Sequence, residues 1–200
     1  GADKLTGDGA GILIQLPHAF FQEQCPKIGI YLPEAGRYAA GNVFLPTGED
    51  TKQGMEIMER AVLTEGLELL GWRDLPVDNS TIGATARSLE PVIKQIFVGA
   101  PSDVEDQLTF ERKLYCVRKR TAWGVRRAGL NDNNENFYVC SLSSKTLIYK
   151  GQLMAPQLET YYLDLKDPKM NSALALAHSR YSTNTFPSWG RAQPFRYIAH

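Results

Sequence analysis

Three features of the sequence predict an α+β fold with helices packed on antiparallel sheets. Strand-like segments come in groups, two substantial helical patterns separate them, and the closing half of the 200 residues is mainly β. A doubly wound sheet would instead alternate strand and helix regularly.

The elements follow in order. "GILIQLP" (Gly11 to Pro17) is an apolar run bounded by glycine and proline, which suits a buried strand, and "HAFFQEQC" after it suits a helical turn. "RYAAGNVFLP" (Arg37 to Pro46) reads as a second strand. From Asp50 to Leu70, Met55, Met58, Val62 and Leu69 recur at helical spacing, with Glu49-Asp50 at the entry and Gly71 placed to end the helix. "GWRDLPV" and the β-branched "VIKQIFVGAP" (Val92 to Pro101) read as strands. Ser102-Asp103-Val104-Glu105 fits a capping box opening a long helix to about Trp123, with Val104, Leu108, Leu114 and Val117 on one face. "FYVCSLSSKTLIYKG" (Phe137 to Gly151) alternates, turns at Ser143-Ser144 and alternates again, as a β-hairpin does. "SALALAHSRYST" then returns to a strand that ends in polar residues.

With no internal repeat or low-complexity linker, residues 1–200 read as a single domain, and 43% hydrophobic content supports a sizeable core. Lysine plus arginine equals aspartate plus glutamate at 22 each, so no global field favours nucleic acid or an anionic membrane. No apolar run approaches the ~20 residues of a spanning helix and no signal-peptide pattern opens the chain, which reads as a cytoplasmic protein without a membrane partner. Cys25, Cys116 and Cys140 lack zinc or disulfide spacing and read as mostly buried structural thiols. Asn79-Ser80-Thr81 fits a glycosylation acceptor but, without a secretory context, reads as loop chemistry.

Among the chemical motifs, "GDGAG" (Gly7 to Gly11) precedes a strand instead of opening a helix, so a tight turn accounts for it better than a phosphate loop. "ERKLYCVRKRTAWGVRR" (Glu111 to Arg127) interleaves cations with Tyr115 and Trp123, as nucleic-acid binders do. Arg112, Arg118 and Lys119 nevertheless lie on an amphipathic helix, and a solvated or interdomain face explains them better. "HSRYSTNTFPSW" is different. Arg180, the first arginine after Arg127, stands at a strand end beside Ser182, Thr183, Asn184 and Thr185. A guanidinium fork pairs two-pronged with a carboxylate while hydroxyl and amide groups complete its hydrogen bonds. The constellation suits an amino-acid carboxylate; the alternative is a structural arginine paired with an acidic residue.

"HSRYSTNTFPSW", followed by "AQPFRYIAH", closely resembles the type 2 glutamine amidotransferase domain of the glutamate synthase large subunit. "TGDGAGILIQLPHAFF" and "FYVCSLSSKTLIYKG" are similar to the same family's opening and middle segments, in the same order.

The resemblance implies an N-terminal nucleophile hydrolase fold, a four-layer αββα sandwich. It implies glutamine hydrolysis to glutamate and ammonia through a thioester on an N-terminal cysteine whose own α-amino group is the base. By position, Arg180 matches the arginine that holds the glutamine α-carboxylate and Thr183 a nearby substrate contact. Ser182 and Asn184 take supporting roles, and His178 shapes the strand end. Ammonia would pass to a synthase domain of the same polypeptide that makes glutamate from 2-oxoglutarate. That domain would use FMN and an iron-sulfur cluster, fed by a small NADPH-oxidising subunit or by ferredoxin, with no cofactor expected in this segment.

The family's nucleophilic cysteine and its oxyanion asparagine-glycine pair have no counterpart in these residues, so an incomplete sandwich without glutaminase activity of its own is expected. Two other functions stay open at this stage. One is a non-catalytic amidotransferase-like module that binds an amino acid or a partner; the other is a nucleic-acid binder using Arg112 to Arg127.

Overall fold

The computed structural model describes residues 3–130, 137–180 and 186–195. Two antiparallel sheets carry it. The first has the order β6-β1-β7, from β1 (Ala10–Gln15), β6 (Thr146–Gly151) and β7 (Ala175–Ser179). The second has the order β3-β4-β2-β5, from β2 (Tyr38–Leu45), β3 (Glu68–Asp74), β4 (Val92–Gly99) and β5 (Tyr138–Val139). Helices α1 (His18–Gln24), α2 (Asp50–Thr64), α3 (Ala84–Ser88), α4 (Gln107–Arg127) and α5 (Gln157–Tyr161), with short 3-10 turns at Cys25–Ile28, Asn79–Thr81 and Leu163–Lys166, complete the described elements. The α+β class expected from the sequence is observed.

Alternation along β2 and β4 explains the layers, because successive side chains in a strand face opposite ways. Tyr38, Ala40, Phe44, Ile93 and Phe97 join Ala10, Ile14, Leu147 and Tyr149 of the first sheet in one apolar cluster. Ala39, Val43, Leu45, Ile96 and Val98 point to the other face, where Met58, Val62, Leu114 and Val117 of α2 and α4 cover them. β2 is therefore buried on both faces, consistent with its nearly uninterrupted apolar run.

The shared cluster also holds a polar chain. Asn42 and Gln95 sit where the alternation demands an inward side chain, and Gln95 Nε2 donates to Asn42 Oδ1 at 2.8 Å. Asn42 Nδ2 reaches across to the Ile148 carbonyl at 2.9 Å, which ties the second sheet to β6. Arg73 donates to Gln95 Oε1 at 3.3 Å and makes a two-pronged pair with Asp164 at 2.6 and 2.7 Å. Tyr149 Oη donates to the same carboxylate at 3.3 Å. Burial works against the Arg73 charge, but the hydrogen bonds and charge of Asp164 outweigh it, so the guanidinium pKa lies above its ordinary value.

Three sequence expectations need correction. The first helix ends at Thr64, Gly66 follows in the left-handed region (φ +69), and Leu69 to Gly71 belong to β3. A left-handed residue stops the helix before the spacing of Leu69 can count. The second helix opens at Asp106, whose carboxylate accepts from the Thr109 N–H at 2.9 Å, and it runs on to Arg127. Residues 102–105 lie before the helix, in a loop that Arg37 holds through the Ala100, Pro101 and Val104 carbonyls at 3.1, 2.8 and 2.6 Å. Leu108, expected on the apolar face, is exposed.

The expected hairpin from Phe137 to Gly151 is not one. β5 pairs with β2 (Val43↔Val139), whereas β6 pairs with β1 (Leu13↔Ile148), so its two arms enter different sheets. Ser141 Oγ accepts from the Ile148 N–H at 3.1 Å, and Ser143 bridges to Ala40. The segment between the arms stitches the sheets together where a hairpin would keep its bonds to itself. Asn79 opens a short 3-10 turn and donates to Glu90 at 2.8 Å, the loop role expected of it.

Candidate functional site

β7 delivers Arg180 to the end of the first sheet. It pairs antiparallel with β1, Gly11 opposite His178 and Ala10 opposite Ser179, and the Arg180 N–H then donates to the Gly9 carbonyl at 2.7 Å. Arg180 thus leaves its strand against the glycine turn of residues 7–11. Its side chain is half-buried. Ser182, Thr183 and Asn184, the other expected substrate contacts, lie outside the described residues.

The glycines have a spatial reason. Gly9 has φ +138, and a Cβ there would lie 3.1 Å from Ala192 Cβ and 3.6 Å from Arg180 Cβ. A Cβ on Gly11 would overlap the Gln193 carbonyl oxygen and come within 2.6 Å of Lys150 Cβ. "GDGAG" therefore lets the segment 186–195 lie down on β1 and β6 beside Arg180. A turn is what the sequence suggested, and close backbone approach is its cause. Gly11→Ala must push residues 193–194 outward; we expect reduced yield of folded protein and, in what folds, a lower urea midpoint, checked by expression level and denaturant titration.

Two buried side chains that sequence reasoning missed fix the same segment. Lys150 is fully buried, and its Nζ donates to the Gly190 and Ala192 carbonyls at 2.9 and 2.7 Å while lying 4.1 Å from the Tyr138 ring centroid. Trp189 is buried, donates Nε1–H to the Ala86 carbonyl at 3.0 Å and meets Phe44 edge-on at 5.8 Å. The legible signal for Lys150 was a lone lysine directly after the apolar "LIY".

The cysteines behave unequally. Cys25 and Cys140 are buried as expected, whereas Cys116 is exposed on α4. Burial pushes the Cys25 thiol up to about 12, which keeps it protonated and unreactive near neutral pH. We expect an alkylating reagent at pH 8 to modify Cys116 within minutes and Cys25 only after denaturation, read by peptide mass mapping. The unfolded thiol ionises near ~8.5, so it loses its proton first as pH rises. Stability must therefore fall between about pH 8.5 and 12. Burial raises Tyr38, Tyr149, Tyr161 and Tyr162 above the usual tyrosine range, and they act in the same direction.

The basic helix is less of a patch than its sequence suggests. Arg112 and Lys119 are exposed, but Arg118 is 9% exposed with its guanidinium 5.0 Å from the Tyr115 ring centroid, contrary to the solvated face expected for it. Glu111, next to Arg112, accepts from the Ser143 hydroxyl and from the Ser144 N–H and hydroxyl. Among the described residues no group of three His, Cys, Asp or Glu side chains is placed to hold a metal, and no helix is long and apolar enough to cross a membrane.

Comparison with known proteins bears on the same segments. The chain is 48% identical, over its whole length, to the NADPH glutamate synthase large chain of Bacillus subtilis, of which it covers 13%. It is 43% identical, again over its whole length, to the NADH glutamate synthase of Schizosaccharomyces pombe, covering 10% of that protein. It is 40% identical over its whole length to the chloroplastic ferredoxin-dependent glutamate synthase of rice, covering 12%. The chain thus spans 10–13% of the length of these relatives. A family model described as class-II glutamine amidotransferases matches residues 1–200, and the chain belongs to that family.

Proposed function

We propose that residues 1–200 form one domain, the glutaminase part of a glutamate synthase, in which Arg180 grips the α-carboxylate of glutamine. The observation that carries this is the placement of Arg180 directly after β7, its backbone fixed by Gly9. A guanidinium fork anchored there has the two-pronged geometry that a planar carboxylate takes. Ser182, Thr183 and Asn184 would complete the contacts to the substrate. The four-layer sandwich belongs to the same proposal. Leu174 and Leu176, 51% and 40% exposed on β7 and the residue before it, are apolar surface that further structure would cover.

Hydrolysis would run through a thioester on an amino-terminal cysteine. Attack on the side-chain amide expels ammonia, and water then releases glutamate and restores the thiol. Cys25 is protonated and buried, Cys140 is buried and Cys116 sits on the far helix, so none of the three fills that role. A polypeptide of these 200 residues alone is accordingly expected to release no ammonia from glutamine.

In the whole protein the ammonia would be channelled to a synthase domain making glutamate from 2-oxoglutarate. FMN and an iron-sulfur cluster would serve that domain. Among the described residues no group of three His, Cys, Asp or Glu side chains is placed to hold the cluster. The electron donor would be a small NADPH-oxidising subunit or ferredoxin, in line with relatives named for NADPH, NADH and ferredoxin. A cytoplasmic location fits such an enzyme.

The test is ammonia release from L-glutamine by the purified full-length gene product. Stoichiometric glutamate and ammonia support the proposal. Glutamine bound without turnover would replace it with the non-catalytic amino-acid-binding module.

A further inference from the structure

We propose that Lys150 is a positioning residue for the glutamine site, holding the Gly190–Ala192 loop against Gly9, the anchor of Arg180; this rests on the reading of Arg180 above. Lys150 is fully buried, and stripping water from an ammonium is costly unless it is well paired. Methionine would fill similar space without that cost, so retention of the charge points to something that must be held. What it holds is specific. Both described carbonyl partners, Gly190 and Ala192, come from one short stretch of loop that adds no strand to either sheet.

The register shows why this matters for Arg180. Lys150 and His178 are both partners of Gly11, so Lys150 stands one strand across from the end of β7. At that end the Gly9 carbonyl holds the Arg180 N–H, and Ala192 packs over Gly9. Arg180 is thus tied to β1 through Gly9, and the Ala192 that packs over Gly9 is tied to β6 through Lys150. Tyr138 and Phe195, with ring centroids 4.1 and 5.2 Å from Nζ, shield the tie from water, and in a dry setting a charged hydrogen bond is stronger. Lys150 would act through Ala192 and Gly9, by setting where Arg180 stands.

The experiment uses the full-length gene product with L-glutamine as the varied substrate. Lys150→Met is expected to raise KM for glutamine about tenfold or more while kcat at saturation changes less than about threefold, the pattern of lost binding without lost chemistry. Lys150→Gln, which keeps an uncharged N–H donor group, should fall between wild type and Lys150→Met, and it carries the same test should the methionine variant fail to fold. Unchanged KM in the folded variant, or a fall in kcat with KM unmoved, overturns the proposal. Arg180→Ala separates the two levels of inference. If it leaves KM unchanged, the carboxylate reading itself fails; if it raises KM and the Lys150 variants do not, only the positioning role is lost.

Discussion

Arg180→Ala in the full-length protein raises KM for glutamine by roughly 10- to 150-fold, since a hydrogen bond to a charged group is worth about 1.5–3 kcal/mol. Removing the guanidinium leaves the carboxylate of the bound amino acid without its fork, while the Arg180 N–H still donates to Gly9, so the strand end survives. Arg180→Lys rescues only part of the loss, because an ammonium supplies the charge without two parallel donors. Steady-state kinetics on the three proteins check this. Equal KM values would show that the arginine is structural.

Asp164→Ala produces the largest loss of stability, about 3–5 kcal/mol, because it strands a buried guanidinium. The Arg73 and Asp164 side chains are 11% and 4% exposed, so water can do little to relieve the uncompensated charge. The consequences spread along the polar chain. Arg73 loses its two-pronged partner, Tyr149 its acceptor, and the Gln95–Asn42 link to β6 its outer brace. The double variant Arg73→Met with Asp164→Leu removes charge and counter-charge together and loses much less. Pulse proteolysis in urea reads these differences for the domain within the full-length protein. A single variant as stable as wild type would mean that water reaches the pair.

The elements read correctly from sequence are those whose signals are local. The apolar spacing of Met58 and Val62 fixed α2, and the β-branched run from Val92 fixed β4, since each depends on residues a few positions apart. The false hairpin shows the limit. Alternation on both sides of Ser143-Ser144 is real, but pairing partners are chosen by tertiary contacts, and Asn42, Ala40 and Ser141 draw the two arms apart. Arg118 misled for the same reason, because its burial depends on neighbours brought by packing. The site divides likewise. Arg180, proposed for the carboxylate, stood out by its motif and its strand end, whereas the proposed role of Lys150 rests on carbonyls forty residues away, invisible until the loop is seen lying on β6.

The carboxylate grip at Arg180 is tested most directly by a cycle of binding measurements. Glutamine and 4-aminobutanamide, the same molecule without its α-carboxylate, are titrated into the full-length wild type and the Arg180→Ala variant, each with its amino-terminal cysteine changed to serine so that neither ligand is turned over. The grip requires that removing the carboxylate weakens binding by roughly 10- to 150-fold in the wild type and hardly at all in the variant, because the same contact cannot be lost twice. Equal losses in both proteins would show that the carboxylate is held elsewhere and would contradict the role given to Arg180.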